Sequence, residues 1–163
     1  MIKLLMKKVG FIYDDVFLLH AMPPGHPESK ERLIAITDAL RKTDLWGKLL
    51  HVKPEKASKD EILSVHTPSY FERVVNFTGY YDADTFISPH SVEAALFAAG
   101  AAIKAVDLCK KGELDSAFCA VRPPGHHAEA NRAMGFCIFN NVAVATRRCA
   151  TRTPLRREYR AWL

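Results

Sequence analysis

The sequence has no apolar run approaching the roughly 20 residues that a membrane-spanning helix needs. Its N-terminus, MIKLLMKK, offers only Leu4 to Met6 as a continuous apolar stretch. That is too short for the core of a signal peptide, so the chain is expected to stay in the cytoplasm. Cysteine is sparse: Cys109, Cys119, Cys137 and Cys149, no two of them two to four residues apart. This spacing excludes a zinc knuckle and argues for reduced, scattered thiols rather than a disulfide framework. Internal repeats and low-complexity tracts are also missing. What remains is 163 residues, 48% hydrophobic and 25% charged, which is the composition of one ordinary globular domain.

The net charge of +5 is not spread over the chain. Residues 1–145 carry 12 Lys and 5 Arg against 17 acidic residues and are neutral as a block. Residues 146–163 carry 6 Arg, no Lys and the single acid Glu158, so they hold the whole excess. A basic face would suggest nucleic acid or an anionic membrane. A basic tail suggests an appendage instead, and neither a nucleic acid nor a membrane is the expected partner.

Lys8 to Tyr13 reads as a short buried strand, and Leu49 to Val52 as a second. Between them, a Pro/Gly-punctuated loop, HAMPPGHPES, leads to a helix over Lys30 to Lys42. Ser58 with Glu61 has capping-box spacing, and Thr67-Pro68 is an N-cap followed by proline at the first helical position. Gly79 to Ile87 reads as a loop. Ser88-Pro89 repeats the cap-and-proline signature ahead of the longest helix, which ends near Lys110, Lys111 and Gly112. Ser116 to Val121, SAFCAV, reads as a central parallel strand buried on both faces. Strands alternating with helices predict an α/β fold. Ligands in such folds bind beyond the carboxyl ends of the strands, so the segment after Val121 is the place for chemistry.

That segment is RPPGHHAEANRAMGFCIFNN, Arg122 to Asn141. Pro123, Pro124 and Gly125 set a rigid turn that presents His126 and His127 together. Adjacent imidazoles can divide proton work, one accepting while the other donates. Gly135 and Phe136 place an aromatic ring beside a position with no side chain, which suits a slot for a thin aliphatic group. Asn140 and Asn141 lead into a helix. Arg122 is expected to anchor the loop rather than to catalyse, and Asp82 and Asp84 to be solvated or capping carboxylates. His20, His26, His51, His66 and His90 show no ligand-like spacing and read as structural or surface residues. His127-Ala-Glu129 also fits the His-x-Glu of zinc nucleobase deaminases, but no Pro-Cys-x-x-Cys follows it.

RPPGHHAE followed by MGFCIFNNVAVA resembles the central signature of the histone deacetylase superfamily. The likeness is greatest to its class II-like and bacterial members, among them acetoin-utilisation proteins and acetylpolyamine amidohydrolases. HAMPPGHPESKERL, VHTPSYFERV and DADTFISPHSVEAALFAAGAAIKAV stand in the family's order, so the resemblance covers about residues 8 to 145. It implies an arginase/deacetylase-like fold, an open, mainly parallel sheet flanked by helices, here truncated. It also implies a zinc-dependent amide hydrolase that removes acetyl from acetylated lysine or an acetylated polyamine. In that chemistry a metal polarises the carbonyl and activates water. His126 and His127 would be the tandem catalytic histidines. Gly135 and Phe136 would line the substrate channel, and His20 to Pro27 would form part of its rim.

The departure from the family pattern comes next. In the family, a strand after this helix carries a zinc-binding Asp-x-His; a second zinc-binding Asp, and a Tyr or His that steadies the oxyanion, lie much later. Here Ala145 is followed by TRRCATRTPLRREYRAWL. The switch from Lys to Arg suggests another reading frame and predicts a boundary at residue 145, with 1–145 the N-terminal part of a deacetylase-like domain and 146–163 a divergent tail. The expected consequence is an inactive fragment to which no metal ligand is assigned, and to which zinc, present in full-length relatives, does not bind. The alternative is a non-catalytic binding module whose basic tail meets acidic partners. Leu155, Tyr159 and Trp162 behind Pro154 would then form a short amphipathic helix.

Overall fold

A computed structural model describes residues 7–152. Three parallel strands form the main sheet: β1 (Val9–Ile12), β2 (Leu50–Val52) and β5 (Ser116–Cys119), in the order β2-β1-β5. Gly10 lies opposite Leu50 and Ala117, and Phe11 opposite His51 and Phe118. Parallel neighbours need helical crossovers. The first is α1 (Glu31–Arg41), and the route to β5 passes through α2 (Lys59–Leu63), α3 (Pro68–Val75) and α4 (Ser91–Lys110). A final helix, α5 (Asn141–Arg152), follows the loop after β5.

Local signals place several of these ends. Ser58 accepts from the Glu61 backbone N–H while the Glu61 carboxylate accepts from the Ser58 N–H, a complete capping box. Thr67 caps α3 through the Tyr70 N–H, with Pro68 in its first turn. The Ser88-Pro89 signature behaves differently. Helix α4 begins at Ser91, and Ser88 is not its cap. The Ser88 backbone N–H donates to Ser91 Oγ at 2.7 Å, and its hydroxyl accepts from the Ala21 N–H at 3.2 Å. A tertiary partner from the first loop has recruited the side chain that the local pattern assigned to the helix. The expected loop over Gly79 to Ile87 contains a small antiparallel hairpin, β3 (Gly79–Tyr80) and β4 (Phe86–Ile87), closed by Tyr81 N–H to Thr85 O at 2.7 Å.

Helix α4 is the centre of the molecule because its small residues allow close approach on two sides. Ala98 and Ala101 pack with Phe11, Ile12, Phe17 and Leu33 on the sheet side. Ala95, Ala99 and Ile103 pack with Ile62, Tyr70, Phe71 and Phe139 on the other. Each fully buried Phe, Ile or Leu in these two cores contributes roughly 1.5–3 kcal/mol.

The burial expected of β5 is corrected. The strand is parallel, but among the described residues it is an edge strand. Ser116 and Phe118 are exposed, with Phe118 at 49%. A run of small apolar residues signals compatibility with burial, and burial itself requires a layer packed on each face. The described portion of the expected tail, 146–152, continues α5. Arg148 there pairs with Asp107 at 3.2 Å and Glu61 at 3.4 Å. Pro154, Leu155, Tyr159 and Trp162 lie outside the described residues, as does the start of the chain through Met6. No helix among the described residues is long and apolar enough to cross a membrane.

Candidate active site

The loop after β5 is held from behind by one buried ion pair. Arg122 is fully buried. Its Nε and Nη2 donate to the two carboxylate oxygens of Glu28, both at 2.6 Å, and Nη1 donates to Phe17 O at 3.1 Å. The expectation that Arg122 anchors the loop is met, and the anchor joins it to the first loop of the chain. The Arg122–Pro123 peptide is cis. Gly125 is required by space: a Cβ there would lie 2.5 Å from Phe139 O and 2.6 Å from Asn141 N, where the loop closes on the start of α5. Asn140 completes the closure. Its Oδ1 caps α5 through the Ala143 N–H at 3.0 Å, its Nδ2 donates to Ala128 O at 2.9 Å, and its own N–H donates to the buried His66 Nε2 at 2.9 Å.

On this platform His126 and His127 are both exposed, with ring centroids 4.3 Å apart and planes inclined by 55°. They border different hollows. His126 lines a cavity of about 690 Å³ together with Glu28, Arg32, Gly125 and Phe136. His127 lines a smaller one of about 400 Å³ with Asp82, Asp84, Arg132 and Gly135.

Gly135 and Phe136 form a tight turn in which both residues are left-handed, at φ 56° and 67°. Gly135 packs against the dyad: a Cβ there would sit 2.8 Å from Cδ2 of His127. Phe136, a non-glycine residue in this region, is held by specific bonds. Asp84 Oδ1 accepts from the Gly135 N–H at 3.1 Å, and Thr85 Oγ1 accepts from the Phe136 N–H at 3.2 Å. The Thr85 hydroxyl donates in turn to Asp84 at 3.0 Å. Asp82 takes the capping role expected of it, accepting from the Asp84 and Thr85 N–H groups. Asp84 does more than the sequence suggests, because it fixes the Gly135–Phe136 turn.

His26, read from sequence as structural or surface, also belongs to this assembly. Its ring meets Phe136 edge to face at 5.0 Å. Its Nδ1 accepts from the Glu28 N–H at 3.1 Å, and its Nε2 donates to Asp84 O at 3.0 Å. Only a tertiary meeting of the first loop with Asp84, 58 residues away, reveals it. His20 is buried, its Nδ1 2.6 Å from Ser91 Oγ. Its Nε2 has no hydrogen bond among the described residues and lies 3.6 Å from Glu28 Oε2. Burial, only partly offset by the Glu28 carboxylate, pushes the His20 pKa down to about 4.

The four cysteines are free thiols. Among the described residues no three His, Cys, Asp or Glu side chains are grouped to hold a metal ion. The described residues therefore do not by themselves fit a catalytic zinc ion, which takes about three protein ligands.

Residues 26–157 match the sequence model of the histone deacetylase domain. Histone deacetylase 5 of Arabidopsis thaliana is 38% identical over 152 residues, covering 85% of this chain and 23% of that protein. A probable deacetylase of Archaeoglobus fulgidus is 37% identical, covering 83% of this chain and 39% of its own length. The human polyamine deacetylase HDAC10 is 36% identical over 78% of this chain and 21% of its own. Among solved structures, the HDA15 HD domain superposes with a TM-score of 0.83 at 32% identity, covering 89% of this chain and 44% of that one. The chain thus spans less than half the length of these relatives, and it has the parallel sheet flanked by helices of the deacetylase α/β fold. A tandem-histidine loop locked to a left-handed Gly-Phe turn, in a chain matched this widely, makes the protein a member of the histone deacetylase family.

Proposed function

We propose that this chain supplies the proton-transfer pair and one channel wall of a deacetylase that hydrolyses the acetyl amide of acetylated lysine or an acetylated polyamine. We further propose that it is inactive alone. The observation that carries the reading is the His126–His127 pair, its rings 4.3 Å apart beside the Gly135–Phe136 turn, in a site that gathers no metal-ligating trio from the described residues. One imidazole would take a proton from attacking water and the other would give one to the leaving amine. The half-buried Phe136 face, steadied by His26, would hold the aliphatic stem of the substrate. Arg122 and Glu28 would keep the histidine loop fixed during both proton transfers. Zinc would have to be held by residues other than those described. The chain's other expected properties, a cytoplasmic location and a boundary at residue 145, belong to the same reading.

The test is direct. Purified 163-residue chain, incubated with zinc and repurified, should carry no stoichiometric metal and release no acetate from an acetyl-lysine peptide or an acetylated polyamine. Robust zinc-dependent turnover by this chain would overturn the reading of inactivity. The salt-independent absence of polyanion binding would set aside the basic-tail module.

A further inference from the structure

His20, Ser88 and Ser91 form a buried hydrogen-bond line that can be solved by counting donors. Ser91 Oγ accepts the Ser88 backbone N–H at 2.7 Å and lies 2.8 Å from Ser88 Oγ and 2.6 Å from His20 Nδ1. Ser88 Oγ accepts the Ala21 N–H at 3.2 Å. Each hydroxyl has one hydrogen to give. If Ser88 gives its hydrogen to Ser91 and Ser91 gives its own to His20 Nδ1, both hydroxyls are paired. The proton of the neutral ring then stands on Nε2, facing Glu28 Oε2 at 3.6 Å. In the opposite tautomer Nδ1–H would take the Ser91 oxygen and Ser91 would give to Ser88. The buried Ser88 hydrogen would then have no acceptor among the described residues, and the Nε2 lone pair would face the carboxylate. The counting therefore selects the Nε2–H tautomer.

The oxygen that His20 faces is the one that Arg122 Nη2 already uses, at 2.6 Å. We propose that His20 is a proton-operated catch on the loop that carries His126 and His127: neutral, it leaves Glu28 to Arg122, and doubly protonated, it takes Glu28 Oε2 as its own counter-charge and slackens the Arg122 tie. The added proton enters at Nδ1. The Ser91 hydroxyl must then turn from His20 to Ser88, and the Ser88 hydrogen loses its acceptor. Closing the 3.6 Å gap to hydrogen-bond length draws Glu28 Oε2 toward His20 and away from Arg122 Nη2.

The charged and titratable groups that act on the ring are Glu28 and His26 of the first loop and Arg122 of the loop after β5. Helix α4 and the turn before it present the Ser91 and Ser88 hydroxyls. Glu28 favours the added proton, whereas burial, Arg122 and His26 oppose it. The catch therefore stays shut at neutrality and opens in acid. It concerns how the loop is anchored and does not depend on the deacetylase reading.

Site-resolved NMR of the full chain tests both parts. At neutral pH the His20 side-chain nitrogens should show the Nε2–H tautomer, and the Nδ1–H pattern overturns the proposal. As the pH falls from neutrality to about 5, protection of the amides over 122–128, corrected for intrinsic exchange, should drop about ten-fold while the β1 amides keep theirs. As the titration continues toward about 4, the Arg122 Nε–H resonance should shift with the midpoint of the His20 ring and not with that of His26. His20→Gln has no ring to charge and should hold the loop's protection level through the same range. Should that variant fail to fold, the shared midpoint of His20 and Arg122 in the unaltered chain decides. Loosening that follows His26, that persists undiminished in His20→Gln or that is matched in β1 refutes the catch, as does a loop whose protection ignores pH.

Discussion

Replacing Glu28 with alanine should be among the most damaging single changes available to this chain. Each nitrogen of the Arg122 guanidinium is engaged at zero exposure: Nε and Nη2 by Glu28 at 2.6 Å and Nη1 by Phe17 O at 3.1 Å. Glu28→Ala removes both charge-assisted bonds and leaves a guanidinium buried without a counter-charge. Breaking one partner of a buried ion pair costs about 3–5 kcal/mol. A domain of this kind has about 5–15 kcal/mol in total, so the variant should sit near the limit of stability. With a urea slope of about 2 kcal/mol/M, the midpoint should fall by on the order of 2 M. The complementary experiment separates pairing from packing. Glu28→Leu combined with Arg122→Met leaves no orphan charge, so the double variant should be far more stable than the summed single losses imply. A midpoint shift below about 0.5 M for Glu28→Ala, with the slope unchanged, would refute the claim that this pair holds the histidine loop.

Gly135→Ala should cost about 1–2 kcal/mol for the left-handed backbone and should also move the His127 imidazole resonances, because its Cβ would press on Cδ2. Gly112→Ala is the control: φ is 71° with no atom within 4 Å, so the strain should be similar and His127 should not respond. His20 makes stability depend on pH. Its folded pKa of about 4 lies below the unfolded value near 6.5, so between these the unfolded chain binds the extra proton. The contribution is complete above pH 6.5 and is lost as pH falls toward 4, on the order of 3 kcal/mol, and His20→Gln should flatten that limb of a urea-midpoint profile. The His66 pKa is also lowered by burial, so its own variant should remove a further part of the same acid limb.

What could be read directly from the sequence was local. The Ser58–Glu61 box and the Thr67-Pro68 start need only a few consecutive residues, and both form as spaced. The Ser88-Pro89 start used the same logic and failed because Ala21, 67 residues away, competes for the Ser88 hydroxyl. The β3–β4 hairpin escaped notice because strands of two residues are too short to show a period. In the site, Arg122 was recognisable as an anchor, but its partner Glu28 lies 94 positions away and no spacing rule connects them. His26 was missed for the same reason. Its role depends on Asp84 and Phe136 converging from separate segments, whereas His126-His127 and Gly135-Phe136 were visible because each pair is consecutive.

The long-range contacts therefore do more than decorate a motif. The histidine loop is tied at its start to the first loop through Arg122 and Glu28. It is tied at its end to the helical layer through Asn140, His66 and Ala128, and along its side to the Asp84–Thr85 turn through Gly135 and Phe136. All but the exposed Asp84 bond use a buried or half-buried polar group whose loss would leave an unpaired partner, which makes the arrangement stiff. Such stiffness fixes the backbone that carries His126, His127 and Phe136. The path of the loop is thus set by this chain's own packing. Glu28→Ala should therefore loosen this loop, read as faster backbone amide exchange over residues 122–128, and unchanged exchange there would count against the tie.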